Sequence, residues 1–326
     1  MTLETAPDRR TVSSTVSVSK GNLLGRIAWE QAEEAVVRRS SYSPEPDCAI
    51  AQSLGVVGDG WELLIVRDLA RGLDRFELLA ESLRISRKVL TERLSSLRDS
   101  GVVERVVYQE RPTRHAYKLT PRGRALLPVL VALQDWGDRW VLGDGELTGT
   151  NSPEEAPAHR IHELVGRRIP EGLKLPAGAV LRDVVDLDAR ATVIFGYPAT
   201  GRPSKLPEGW DAIAGTAGCT LENKLFAERA ADFTTAKIAV HGVSTQRPDE
   251  QLAFAELENI PHVLLSDTEL TLTAALRLPA FRAGGYERLK RLMLVVAPTR
   301  EIKAVHYPIT DIPEAISWAY DTARQL

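Results

Sequence analysis

The stretch ISRKVLTERLSSLRDSGVVERVVYQERPTRHAYKLTPRG, residues 85–123, decides the fold of the first half of the chain. Ser86 is a good helix N-cap, because its side-chain oxygen can accept from an otherwise unpaired N–H of the first turn. Leu90, Leu94 and Leu97 follow at helical spacing and Gly101 stops the run, which predicts a helix between them. Two strands are predicted next, Val102–Tyr108 and His115–Leu119, around the loop Gln109–Arg114. Thr120 and Pro121 then open another helix, a cap followed by proline at the first helical position. Its apolar stripe of Leu126, Val129, Leu130, Leu133, Trp136 and Trp140 is too strong for a solvated face, and Pro128 is expected to bend it.

Upstream, three short helices are predicted: Cys48–Val57, Trp61–Ala70 ended by Gly72, and Phe76–Leu83. A further helix is expected at Asn22–Arg39, with acids first and bases last as its dipole prefers. The polar tail 1–20 reads as disordered. The net charge of −3 argues weakly against nucleic acid, but it hides a pattern. Arg84–Arg124 holds eleven Lys and Arg against four acids, so the positive charge is concentrated in one stretch. Ser86, Arg87, Lys88, Thr91 and Arg93 would present a polar helix face to a DNA groove. Arg111 and Arg114 would form a basic hairpin tip stiffened by Pro112. Most such cations contact phosphates, which position a protein without reading sequence. By periodicity alone, a solvated helix and an ordinary charged hairpin fit as well.

The pieces GDGWELLIVRDL, RFELLAESL, ISRKVLTERLSSLRDSGVVER and YKLTPRGRALLPVL, spread over Cys48–Trp140, resemble the HxlR family of bacterial regulators. That resemblance implies a winged helix-turn-helix, double-stranded DNA with an inverted-repeat operator as partner, and a homodimer. The dimer contacts would come from the N-terminal helix and the Leu126–Trp140 stripe. Several relatives are thiol sensors with a cysteine near the position of Cys48.

Residues 143–179 read as a linker containing one short helix. Beyond it strands and helices alternate: strands at Ala191–Tyr197, Ala236–Val243, His262–Leu265, Leu292–Val296 and Ile302–Tyr307, with helices near Cys219, at Asp249–Glu258, at Glu269–Leu276 and from Pro313. This predicts a central sheet covered on both faces. With 326 residues the chain has room for two such domains. The expected class is multidomain α+β and α/β: a tail at 1–20, a DNA-binding domain at 21–142, the linker, and a sheet domain at 180–326.

Only two cysteines occur, Cys48 and Cys219, too few for a secreted disulfide scaffold. The N-terminus lacks a signal-peptide core, and the aliphatic runs are too short to span a bilayer, so no membrane partner and a cytoplasmic location are expected. Cys219 falls where a loop feeds a helix. A helix N-terminus and a nearby cation would favour its thiolate and place its pKa below the unfolded value. Thr216 would offer a hydroxyl to the sulfur, and Arg291 would be the cation. His241, His262 and His306 make no metal motif and read as structural; no cofactor is expected.

The pieces VIFGYP, TAGCTLE, IAVHGVSTQRPDEQLAFAEL, PHVLLSDTELTLTAALRL and KRLMLVV resemble the peroxiredoxins, especially the bacterioferritin-comigratory type, over residues 180–326. The resemblance implies a thioredoxin fold with Cys219 as peroxidatic cysteine, Thr216 as its hydroxyl partner and Arg291 as its cation. Glu222 matches an acid or amide common three residues after the cysteine. Two features depart from the pattern. Ala212 replaces the usual proline, with an insertion between Pro198 and Gly215, and Lys224 stands where some relatives place a resolving cysteine. Any disulfide would therefore use Cys48, a second Cys219 or an external thiol reductant. Three functions fit: a regulator that senses oxidation at Cys219, a thiol peroxidase with an autoregulatory DNA-binding half, and a regulator whose degenerate sheet domain binds a ligand.

Overall fold

The structure, a computed structural model, describes residues 45–326. The helix expected at Asn22–Arg39 and the tail before it lie outside the described residues. The chain divides into two units, 1–55 and 56–326. Helix α1 (Ala49–Val57) spans that boundary.

In the second unit, Asp59 caps α2 (Gly60–Ala70) by accepting from Trp61 N–H, and α3 (Phe76–Leu83) ends at Arg84 in a left-handed conformation. Ser86 caps α4 (Arg87–Asp99) as expected, accepting from Val89 N–H. Leu90, Leu94 and Leu97 are buried against Ile65, Val66 and Leu79, so one apolar stripe per helix builds this core. Strands β1 (Val103–Glu110) and β2 (Thr113–Leu119) form an antiparallel hairpin in which Glu110 pairs with Thr113. The turn is therefore only Arg111 and Pro112, tighter than the loop expected from Gln109 to Arg114.

Thr120 accepts from Gly123 N–H and starts α5 (Pro121–Arg124); the chain then restarts as α6 (Leu127–Trp140). The expected bend at Pro128 is replaced by this break. Pro128 sits in the first turn of α6, where its missing N–H removes no helical hydrogen bond.

Residues 143–179 were expected to be a linker, yet they carry core. In and after α7 (Ala156–His162), Ala158, Ile161, Leu164, Ile169 and Leu173 are buried under the sheet. A hairpin of β3 (Lys174–Ala177) and β4 (Val180–Asp183) follows. The main sheet holds β5 (Ala191–Gly196), β6 (Ile238–Ser244), β7 (Val263–Ser266), β10 (Leu292–Val296) and β11 (Ile302–His306) in the order β11-β10-β5-β6-β7. β5, β6 and β7 run parallel, and β10 is antiparallel to β5 and β11. A parallel β5–β6 pair flanked by an antiparallel hairpin is the thioredoxin arrangement. Parallel neighbours need crossovers, supplied by α8 (Cys219–Glu228) with α9 (Ala230–Thr235), and by α10 (Pro248–Glu258). Strand periodicity sends Val193, Phe195, Met293 and Val295 to one face and Ile194, Leu292, Leu294 and Val296 to the other. Both faces are covered, the first partly by α12 (Ile312–Arg324). The sheet thus reads as continuous apolar runs rather than alternation.

Helix α11 (Thr271–Leu276) and the hairpin β8 (Ala280–Ala283) and β9 (Tyr286–Leu289) complete the second unit. They join its two halves. Leu127 and Val131 of α6 pack on Leu270, Ala274 and Ala280. Gln134 Nε2 donates to Leu278 O at 3.0 Å. Arg160 grips Asp138 with two nitrogens at 2.8 and 2.6 Å. Among the described residues no single helix is long and apolar enough to cross a membrane.

Candidate functional site

Two sites emerge, one cationic and one thiol-based. On α4 and the hairpin tip, Lys88, Arg111 and Arg114 are exposed. Arg87 is also exposed, but its Nη1 donates to Glu77 at 2.6 Å and its guanidinium lies over the Phe76 ring. An exposed pair of this kind is weak, so a phosphate can displace Glu77 at little cost. Thr91 faces solvent while its hydroxyl donates to Arg87 O at 2.8 Å. Arg93 departs from the expected groove face: it is half-buried and pairs with Asp59 at 2.8 Å. It ties α4 to the cap of α2 and serves the domain's core. The burial of Leu90, Leu94 and Leu97 rotates it inward, a consequence of helical phase that residue type alone does not reveal.

At the other site, Gly218 caps α8 with φ of +97°, a conformation that favours glycine. A Cβ there would also come within 2.7 Å of Ile312 Cδ1. Cys219 is consequently the first helical residue, and only 4% of its surface is exposed. Its Sγ donates to Thr216 O at 3.5 Å, and Arg291 Nη2 lies 3.5 Å from the sulfur. Arg291 is anchored by Ala217 O at 2.8 Å and by the Glu222 carboxylate. The expected trio is thus brought together, with one difference. The Thr216 hydroxyl donates to the Trp210 and Ile213 carbonyls, 2.9 and 2.8 Å away, and so braces the loop instead of facing the sulfur.

Electrostatics correct a second expectation. Burial pushes the Cys219 thiol above its ordinary value, more than Arg291 and the Ala199 N–H pull it down, and Glu222 adds to the rise. The helix N-terminus and the guanidinium were expected to win; a nearly dry sulfur beside a carboxylate reverses the outcome. Burial also lifts Glu222 to about 7 despite Arg291. Burial opposes the charge on Arg291 too, but Glu222 and Cys219 hold it above its usual range. Glu222 therefore competes with the thiolate for the same cation. Asn223 was missed by sequence reasoning: its amide nitrogen donates to Cys219 O at 2.9 Å and its amide oxygen accepts from His262 Nε2 at 3.1 Å. Its spacing of four from Cys219 on one helix was the available signal. The histidines are held in the fold. His262 is driven down to about 3 by burial, His241 bonds Val184 O at 2.8 Å, and His306 meets the Trp318 ring edge-on. Lys224 pairs with Glu258 at 2.6 Å. Cys48, in the first unit, is half-buried, and both cysteines are free thiols.

The HxlR-like helix-turn-helix family model matches residues 56–144, and the AhpC/TSA family model matches residues 210–305. An uncharacterised HTH-type transcriptional regulator of Mycobacterium tuberculosis is 41% identical over 93 residues, 28% of this chain and 59% of that protein. The chain thus spans well under two thirds of that mycobacterial relative. The HTH-type transcriptional regulators YvaP and YodB of Bacillus subtilis are each 37% identical, over 84% and 80% of their own lengths and 28% and 27% of this chain. Among solved structures, peroxidoxin BcpB from Mycobacterium tuberculosis is 24% identical, covering 50% of this chain and 97% of its own, with a TM-score of 0.41. A peroxiredoxin-like protein from Aquifex aeolicus is 20% identical, covering 49% of this chain and 86% of its own, with a TM-score of 0.39.

Proposed function

Because this chain belongs to the HxlR-like helix-turn-helix regulators and carries an AhpC/TSA domain behind that module, we propose that it is a homodimeric DNA-binding regulator whose affinity for an inverted-repeat operator responds to peroxide through Cys219. A guanidinium 3.5 Å from a buried thiol at a helix start is the observation behind the redox half. The chemistry balances. The Cys219 thiolate attacks one peroxide oxygen, the O–O bond breaks, and the leaving oxygen takes a proton to become an alcohol or water. Sulfur gives two electrons and becomes a sulfenic acid; one external thiol condenses with it to a mixed disulfide and water, and a second thiol frees the Cys219 thiol and leaves as the external disulfide. A cytoplasmic location belongs to the same proposal.

A route to the DNA-binding half is available without Cys48. Gly149 N–H donates to Ala214 O at 2.8 Å, in the loop braced by Thr216, and Lys290, next to Arg291, donates to Thr150 O at 3.3 Å. These two residues lie on the strap that leaves α6, whose first turn is held by Arg139 donating to Gly145 O at 2.6 Å. Condensation of the sulfenic acid with an external thiol requires the sulfur to leave its buried seat, which would disturb this loop and with it the strap. On α6, Val129, Leu133, Trp136 and Trp140 remain 51–56% exposed at spacings of four, three and four, a seam suited to a second helix. Leu126 and Leu130, expected in the same stripe, are half-buried against the winged-helix core.

Electrophoretic mobility of the operator complex tests the redox half. Peroxide is expected to change the affinity of the wild type at least tenfold and to leave Cys219→Ser unchanged. Equal responses of both proteins would refute sensing at Cys219. Peptide mapping after one equivalent of peroxide then locates the product. Oxidation of Cys48 with Cys219 still a free thiol sinks the sensor, whereas a Cys48–Cys219 disulfide establishes Cys48 as redox partner. For the dimer, Leu133→Asp with Trp136→Asp is expected to convert the wild-type dimer to a monomer in sedimentation at micromolar concentration. A wild-type protein that sediments only as monomer removes the dimer from the proposal.

A further inference from the structure

A cavity of about 420 Å³ opens where the turn after α2 meets α7 and the end of α11. Five guanidinium groups line it, from Arg71, Arg160, Arg167, Arg168 and Arg277, against one carboxylate, Glu163. Behind the wall, Arg71 shares Asp68 with Arg67 at 2.9 and 2.8 Å, and Arg160 holds Asp138. Arg167 Nε donates to the Glu163 carbonyl at 3.0 Å while its guanidinium stays 3.9 Å from the Glu163 carboxylate, and Arg168 donates to the carbonyl of Thr299. The Arg277 side chain makes no hydrogen bond or ion pair among the described residues, and Asp138 is the one carboxylate that attracts it. Six arginines thus meet three carboxylates.

Arg277 is placed there by the backbone. It caps α11 in a left-handed conformation with φ of +53°, and its carbonyl accepts from Arg160 Nε at 3.2 Å. Partial burial, with Arg160, Arg67 and Arg71 around it, drives its guanidinium down to about 10. Asp138 offsets this only in part, because both its oxygens are held by Arg160, and a half-buried charge so poorly compensated opposes folding. A multivalent anion would compensate it. Guanidinium forks match phosphate oxygens with paired, charge-assisted hydrogen bonds.

We propose that this cavity binds a small molecule carrying a phosphate group, with Arg277 as the central ligand and Arg160, Arg71 and Arg167 around it. The cavity draws its walls from both the winged-helix half and the sheet half, so an occupant contacts the two together. The proposal is independent of Cys219 chemistry.

Inorganic pyrophosphate is the probe. Calorimetric titration and thermal unfolding of the full chain are run against sodium chloride of equal ionic strength. Saturable binding and a rise in Tm are expected, and Arg277→Gln is expected to weaken binding at least tenfold. The ligand-free Arg277→Gln protein should melt at or above the wild-type temperature, because a repelled charge is gone. No binding beyond the chloride control overturns the proposal, as does undiminished binding in Arg277→Gln. A fall in the ligand-free Tm of Arg277→Gln with binding intact assigns the residue a structural role instead and also overturns it. Non-operator DNA provides the last arm. If it competes with pyrophosphate and Arg277→Gln weakens DNA binding, the phosphates recognised belong to the DNA backbone, and the small-molecule site is refuted.

Discussion

The quadruple variant Arg87→Ala, Lys88→Ala, Arg111→Ala, Arg114→Ala is expected to lose DNA affinity by on the order of 10³-fold at about 0.1 M salt. The helix N-terminus and the hairpin tip carry these four cations on exposed positions. Each phosphate contact releases condensed counterions, so the salt dependence should flatten by about one unit for every contact removed. The loss should be similar across DNA sequences if the contacts are to phosphate, and should change the sequence preference where a cation reads a base edge. Arg87 belongs in the set despite its ion pair, because its partner Glu77 is as exposed as it is. Arg93→Ala is the internal control. Its pair with Asp59 is largely shielded from solvent, so the expected effect is a stability loss of roughly 1 kcal/mol in urea unfolding, with the salt slope intact. Wild-type affinity in the quadruple variant would remove the cationic face from the DNA interface.

Arg291→Met is expected to slow oxidation of Cys219 by peroxide by on the order of 10²-fold, the usual cost of losing one preorganised donor at a site of developing negative charge. Arg291→Lys should recover part of that rate, since a cation remains. The pH profile carries the sharper expectation. Only the thiolate attacks peroxide, and the thiol is held up by burial. The wild-type rate should therefore climb about tenfold per pH unit through neutrality, until pH passes the raised thiol value. Glu222→Gln should be faster than wild type above neutral pH, because it removes the carboxylate that disfavours the thiolate and occupies Arg291. Glu222 titrates at about 7, so below that pH it is protonated and as neutral as glutamine. The two profiles should converge below about pH 6 and separate fully above about pH 8, a unit on either side of that value. A Glu222→Gln rate equal to or below wild type at pH 8, by stopped-flow tryptophan fluorescence or thiol trapping, would refute the competition for Arg291.

Local signals determined much of this protein without any coordinates. Ser86, Thr120 and Gly101 mark element ends because capping and left-handed backbone are chemical properties of single residues. The leucines of α4 identify one buried face because helical periodicity is geometric, and the unbroken apolar runs of β5 and β10 mark strands covered on both faces. The grouping of Cys219 with Arg291 was legible through the resemblance of motifs some seventy residues apart. Short amphipathic pieces were harder. The hairpins β3–β4 and β8–β9 escaped notice because four-residue strands give too few repeats of the pattern.

What the tertiary structure alone decided concerns how groups are shared among neighbours. Whether Arg93 reaches DNA or the core depends on where helix α4 is clamped. Whether α6 offers its stripe to a second chain or to its own depends on Leu127 and Val131, which no one-dimensional stripe distinguishes from Val129 and Leu133. The direction of the Cys219 pKa depends on the balance between one guanidinium, one carboxylate and the exclusion of water. Sequence names those groups, but each contribution varies with distance and with burial, and both are set only when α8, β10 and the loop before Cys219 close upon one another.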